Sequence, residues 1–268
     1  MTEIRSDIAW STSDRVVVRG RDLSAEVLGR MNLGEFAYMQ LMGEPPSQGH
    51  ARLFNAILVT LVEHGLTPSV LAARLTYLGA PESLQAAVAA GLCGVGSVFV
   101  GSTEGAAKML SDALEGTDPG ADLQAIAVAT VDAAIDRKSQ IPGIGHPIHK
   151  PIDPRVPRLF EIARDERVEG RYIELMELIS DEASRQLERD LPINATGAIG
   201  AIACELGLPI RVIRGFGVMA RAIGIVGHLL EESERPIAAE IWTRADREGS
   251  AHVRAEQAPE VERRVGTP

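Results

Sequence analysis

The side chains with chemistry to offer in this chain are a few histidines and arginines in unusual settings. Of the six histidines, His50, His64, His146, His149, His228 and His252, His146 has the most telling surroundings. It follows Ile141-Pro142-Gly143-Ile144-Gly145 and precedes Pro147. Two prolines and two glycines remove backbone donors and loosen the chain, so this is a loop with an imidazole at its tip. A loop in a helical chain is where functional side chains are displayed, and an ordinary surface histidine is the equal alternative. His64, in Val62-Glu63-His64-Gly65, ends a long apolar stretch; it is either a cation at a helix C-terminus or a ligand for an anion. Arg211, Arg214 and Arg221 fall on another apolar stretch, and Arg214 and Arg221, seven apart, share a helix face. Arg221 lies between Ala220 and Ala222, a setting that calls for a negative partner, either a bound anion or an acidic residue of the chain.

Other chemistries find little support. No histidine pair has HExxH or another zinc spacing. Ser102 and Ser184 lack a GxSxG elbow. Gly143-Ile144-Gly145 lacks the preceding strand and third glycine of a dinucleotide fingerprint. Cys93 and Cys204 stand far apart in apolar surroundings, which predicts two buried, reduced thiols rather than a disulfide.

The elements that must hold these residues are helical. Within 268 residues, 27 Lys+Arg oppose 37 Asp+Glu for a net charge of −10. That balance argues against non-specific attraction to nucleic acid or an anionic membrane. An anionic ligand must therefore be held by a local cluster of Arg and His. Met1 to Ser13 carries charges and no apolar run, so no signal peptide is expected. Ser83 to Thr103 approaches the ~20 residues of a membrane span, but Gln85, Ser97, Ser102 and several glycines make it a poor one. A cytoplasmic location is expected.

Val16-Val17-Val18 reads as a brief strand. After it, apolar spacings of three and four predict helices over 35–42, 51–63, 84–92, 106–114, 123–135, 159–163, 172–187, 195–206 and 211–230. The expected class is all-α. The tail after Ala245 has little to bury and is expected to fray or lie over a neighbour.

Taken in order, these segments resemble the citrate synthase superfamily over nearly the whole chain. Arg19-Gly20-Arg21-Asp22-Leu23 is similar to the family's opening RGxxI, and Glu35 to Pro46 to its AYLLLFGELP helix. Glu63-His64-Gly65 stands where the family has Asp-His-Glu or Asp-His-Gly. Gly143-Ile144-Gly145-His146 matches its GxGH loop, with Asp153-Pro154-Arg155 following. Pro209 to Glu231 resembles the long helix whose Ala-Arg is Ala220-Arg221. Gly105 to Met109 and Asn194 to Gly200 look like AAAKM and NVDGLIG of the citryl-CoA lyase type, the module that also forms the C-terminal part of ATP-citrate lyase.

The resemblance implies a two-domain helical fold, truncated at its N-terminus, with a large domain at 1–107 plus 193–268 and a small one at 108–192. It implies a homodimer or dimer-based oligomer with the site between domains, and a coenzyme A thioester and a 2-oxo or hydroxy acid as ligands. No bound metal or organic cofactor is expected. Position by position, His146 corresponds to the histidine at the keto or alkoxide oxygen, and His64 and Arg221 to residues holding carboxylates. Arg235, in Arg235-Pro236, resembles a late segment that reaches the other subunit's site; the second arginine of that segment is Ile237 here. Asn194 and Phe99 fall with Arg221 and Arg235 at the substrate, and Gly143, Gly145 and Lys150 at the coenzyme.

Two positions depart from the synthase pattern. The enol-stabilising histidine of LHGG is Phe99, as in lyase-type modules, and the catalytic aspartate of NVD is Thr196. A threonine hydroxyl can share a hydrogen bond but its pKa is far too high for a base near neutral pH. The reading this favours is a lyase splitting citryl-CoA, or a related 3-hydroxy-3-carboxyacyl-CoA, into an acyl-CoA and a 2-oxo acid, with His146, His64 and Thr196 as its catalytic set. A citrate-synthase-like condensation is one alternative, and a binding protein that has lost turnover is another.

Overall fold

The computed structural model describes residues 4–98, 101–145 and 151–257. The three valines form the middle of a small antiparallel sheet, β1 (Ala9–Ser11), β2 (Val16–Val18) and β3 (Arg21–Asp22), with Trp10 opposite Val17 and Val18 opposite Arg21. β1 and β3 add two strands to the one expected; each is too short to announce itself without its neighbour. Asp22 then caps a five-residue π-type turn, its carboxylate accepting from the N–H groups of Ser24 and Ala25 at 3.0 and 2.9 Å.

The remainder is helical: α1 (Leu33–Met42), α2 (Gln48–Val62), α3 (Pro68–Gly79), α4 (Leu84–Cys93), α5 (Gly101–Leu114), α6 (Leu123–Asp136), α7 (Arg155–Asp165), α8 (Arg171–Gln186), α9 (Ala195–Glu205), α10 (Ile210–Glu234) and α11 (Ala238–Gln257). With 66% of residues in helices, the class is all-α. Local chemistry sets several boundaries. Asn32 and Glu35 form a reciprocal capping box at α1, closed at the other end by left-handed Gly43. Pro68 opens α3, where its missing N–H costs nothing.

The chain divides into two compact units, one containing residues up to Glu63 together with Gly96–Ala220, the other His64–Val95 and the chain from Arg221 onward. The boundaries expected at 107/108 and 192/193 both lie inside the first unit. In that unit Phe54 of α2 packs edge-on between Tyr38 and Phe216, at 5.5 and 5.3 Å between ring centres. Leu110, Ile173, Met176, Ile179, Ile199 and Ile202 complete a dry centre around it. Scarcity of aromatics is compensated by close backbone approach: a Cβ on Gly200 of α9 would lie 2.9 Å from the Ala106 Cβ of α5.

In the second unit Ala73, Ala87, Ile225 and Leu229 form the apolar centre. Beside it Arg74 is buried, 1% exposed, with Nη1 donating to Glu232 Oε2 at 2.7 Å and Nη2 to Glu231. Glu232 also accepts from the backbone N–H of Ile237 and Ala238 at 3.0 and 2.9 Å, so it caps α11. The segment after Ala245, expected to fray or lie over a neighbour, is helical through Gln257, with Arg244–Glu248 and Arg254–Asp246 ion pairs along it.

Two further expectations are corrected. Cys93 is exposed at the end of α4 rather than buried. Cys204 is half-buried, and its thiol is pushed up to about 12, chiefly by burial and then by the Glu205 charge. The uncharged stretch 83–103 is split between α4 and α5. Among the described residues α10 is long and apolar enough to cross a membrane, yet its Phe216, Ala220, Ile225 and Leu229 are buried among protein atoms.

Candidate functional site

In the first unit the Gly/Pro loop and the start of α9 are built as one piece. The backbone N–H of Asn194 donates to the Gly143 carbonyl at 3.0 Å, and that of Gly145 to Pro192 at 2.7 Å. Ile144 and Ile193 face each other as an antiparallel bridge between these bonds. The Asn194 side chain closes the join: Nδ2 donates to the Gly145 carbonyl at 2.7 Å, while Oδ1 accepts from Thr196 N, Thr196 Oγ1 and Gly197 N at 3.0, 2.6 and 3.2 Å. Asn194 is therefore the N-cap of α9 and the clamp of the loop at once. Gly143 and Gly145 have φ of 89° and 72°, a left-handed backbone that glycine adopts without strain. Gly143 has a second reason to lack a side chain, because its Cβ would lie 2.6 Å from the Gly197 Cα.

Asp153 ties in the chain beyond the loop. It is completely buried. Its Oδ2 accepts from the Ala195 N–H at 2.9 Å, and its two oxygens take Nε and Nη2 of Arg155 at 2.9 and 2.8 Å. Burial alone would raise this carboxyl, but the Arg155 guanidinium and the two backbone donors outweigh it and hold the group at about 2. A folded-state value below the ordinary 3.8 adds stability above pH 3.8, and that contribution is lost as pH falls through about 2. Asp153→Asn is expected to lower stability at neutral pH by about 2 kcal/mol and to flatten the acid limb of the pH–stability curve below pH 4. Chemical denaturation at pH 7, 4 and 3 measures both.

Of the expected site residues, Gly143, Gly145, Asn194 and Thr196 are brought together here. Phe99, His146, His149 and Lys150 lie outside the described residues. His64, Arg221 and Arg235 belong to the second unit. His64 is exposed, two residues beyond the last turn of α2, and Arg221 lies within α10. Arg214 is 2.8 Å from Glu104 at the start of α5, so for it the intrachain ion pair is the answer.

Asp153 and Arg155 were not picked out as an interacting pair, although their Asp-Pro-Arg sequence was legible. Arg155 spends one edge of its guanidinium on Asp153 and remains 29% exposed beside the loop, which leaves N–H groups for a carboxylate ligand. The N-terminus of α9 adds its own positive end.

A cleft of about 580 Å³ has Ile152, Val156, Phe160 and Ile193 in its lining. Glu174, Glu177, Asp181 and Arg164 also line it; burial, with the charge of Glu169, pushes the Glu177 carboxyl up. Three carboxylates against one guanidinium in that lining disfavour an anion there. Among the described residues no group of three or more His, Cys, Asp or Glu side chains is placed to hold a metal.

Residues 19–242 match the C-terminal domain of citrate synthase. The chain belongs to the citrate synthase family. The citryl-CoA lyase of Hydrogenobacter thermophilus is 32% identical, with 85% of this chain and 86% of that one covered and a TM-score of 0.77. The citrate synthase of Deinococcus radiodurans is 26% identical over 219 residues, 80% of this chain and 56% of its own length. The ATP citrate lyase of Methanothrix soehngenii, solved with citrate and coenzyme A, shares the fold at 22% identity, with a TM-score of 0.71, over 87% of this chain and 39% of its own. The chain spans about half the length of the curated citrate synthases it matches. Within this citrate synthase family member, the Gly143–Gly145 loop, Asp153, Arg155 and the α9 N-terminus form the pre-organised part of the candidate site.

Proposed function

We propose that this chain is a C–C lyase of the citryl-CoA lyase type, cleaving citryl-CoA or a related 3-hydroxy-3-carboxyacyl-CoA into an acyl-CoA and a 2-oxo acid. The observation that carries the reading is the likeness to the Hydrogenobacter citryl-CoA lyase, which extends over most of both chains. Phe99 in place of the enol-stabilising histidine points the same way.

In this reading His146 takes the proton of the tertiary hydroxyl, the C–C bond breaks as the carbonyl forms, and the acyl-CoA leaves as an enolate that must gain a proton. His64, Arg155 and Arg221 hold carboxylates, and Arg235 reaches the substrate of the neighbouring subunit in a homodimer. Phe99 and Asn194 border the substrate; Gly143, Gly145 and Lys150 lie along the coenzyme. The large domain is expected at 1–107 with 193–268 and the small one at 108–192, and the enzyme works in the cytoplasm. No metal or organic cofactor takes part.

Thr196 cannot serve as the proton donor that an aspartic acid would be. Its hydroxyl proton is already given to Asn194 Oδ1 at 2.6 Å, and its pKa is out of range in either direction. The enolate proton comes from water or from His149. The same threonine favours a second reading, a binder of CoA esters or polycarboxylates without turnover. Curated relatives named citrate synthase keep the reverse condensation as a third.

Calorimetric titration with citryl-CoA, paired with chromatography of the products, separates the lyase from the binder. The lyase releases acyl-CoA and 2-oxo acid in equal amounts. Tight binding with the thioester recovered intact rejects the lyase and favours the binder.

A further inference from the structure

The second unit carries a buried charge cluster that the reading above does not use. We infer that Glu231 and Arg74 are positioning residues for Arg235, holding the α10–α11 junction so that its guanidinium meets a substrate carboxylate. The inference rests on the proposed role of Arg235.

Arg235 is itself 78% exposed, on a junction of three residues between two long helices. An arginine so placed has many open rotamers, and any contact it makes must first overcome that disorder. The structure limits it from below. Glu231 uses one carboxylate oxygen to accept from the buried Arg74, while the other lies 3.6 Å from Arg235 Nη2. Its backbone carbonyl accepts from the Arg235 N–H at 2.7 Å. One residue later, Glu232 takes Arg74 Nη1 on one oxygen and the N–H groups of Ile237 and Ala238 on the other. Residues 235 and 237–238 are thus fastened on both sides of Pro236, and both fastenings run to one guanidinium. His228 Nδ1, 2.9 Å from Arg74 Nη2, accepts from the same nitrogen that serves Glu231.

A planar fork suits this task. A lysine ammonium cannot address two carboxylates and a ring nitrogen in fixed directions. An anchor needed only to pack α3 against α10 could be apolar; a cluster that ends on the exposed Arg235 has a different purpose. The middle carboxylate, Glu231, is 46% exposed, so replacing it spares the fold, whereas removing Arg74 would leave the buried Glu232 unpaired.

The test compares Glu231→Gln, Arg235→Ala and the double variant, with citryl-CoA as substrate. Glu231→Gln is expected to raise KM about tenfold with a smaller change in kcat, as misplacement of a binding group does. In the Arg235→Ala background it is expected to add nothing, because the group it positions is gone. Titration with citrate reads the same coupling without turnover. Additive effects, or an unchanged KM in Glu231→Gln while Arg235→Ala raises it, overturn the inference and leave the role of Arg235 intact. An unchanged KM in Arg235→Ala removes that role, and the positioning claim with it.

Discussion

Gly197→Ala is expected to cost ~3 kcal/mol or more of stability, about 10 °C in Tm for a chain of this size. A Cβ on Gly197 would stand 2.2 Å from the Gly143 carbonyl oxygen and 2.9 Å from the Gly143 Cα, separations that no real Cβ tolerates. The obstacle is backbone on both sides, so no rotamer change relieves it. The Asn194 N–H bond to the same Gly143 oxygen, at 3.0 Å, would be strained with it, and the loop and α9 would part. Gly215→Ala on α10 is the control: nothing lies within 4 Å of its Cβ, and alanine in a helix interior gains up to about 1 kcal/mol. Thermal melts of the two variants followed by circular dichroism give the comparison. A Gly197→Ala protein as stable as its parent would mean that the loop is not fastened to α9 in this way.

His146→Ala is expected to lower kcat for citryl-CoA by ~10²–10⁴-fold, the usual cost of losing a general base, with melting temperature unchanged. The size of the effect follows from what surrounds the reaction. Thr196 has committed its proton to Asn194. Asp153, at about 2, is held ionised inside an ion pair with Arg155 and has no oxygen to spare for proton transfer. Asn194 is spent on capping. No other group of the pre-organised cluster handles protons near pH 7. Single-turnover rates for the variant and parent measure the loss; an unchanged kcat would place the base elsewhere.

Much of this fold was written in the periodicity. α9 and α10 appear close to where spacings of three and four put them, because each buries a wide apolar stripe. α3 was missed because Gly65-Leu66-Thr67-Pro68 reads as punctuation, whereas Pro68 occupies the first helical position. α11 was missed for the opposite reason: it is charged and mostly exposed, so its short apolar row from Ala238 to Ala245 is lost among charges, and Glu232 caps its start. The loop glycines and Asn194 were legible as motif positions. Their physical reasons, a backbone crossing at Gly143 and Gly197 and a three-donor cap, were not, since they arise between segments fifty residues apart. Arg74 carried no local signal at all; its burial is set by carboxylates more than 150 residues away.

The decisive question is whether the chain breaks a C–C bond with Thr196 where an aspartate is expected. Purified protein supplied with citryl-CoA, malate dehydrogenase and NADH decides this directly. NADH oxidation that matches the thioester consumed, and that disappears in His146→Ala, is the predicted result. No oxaloacetate from a folded protein that binds citryl-CoA would rule out the lyase and leave a binding protein in its place.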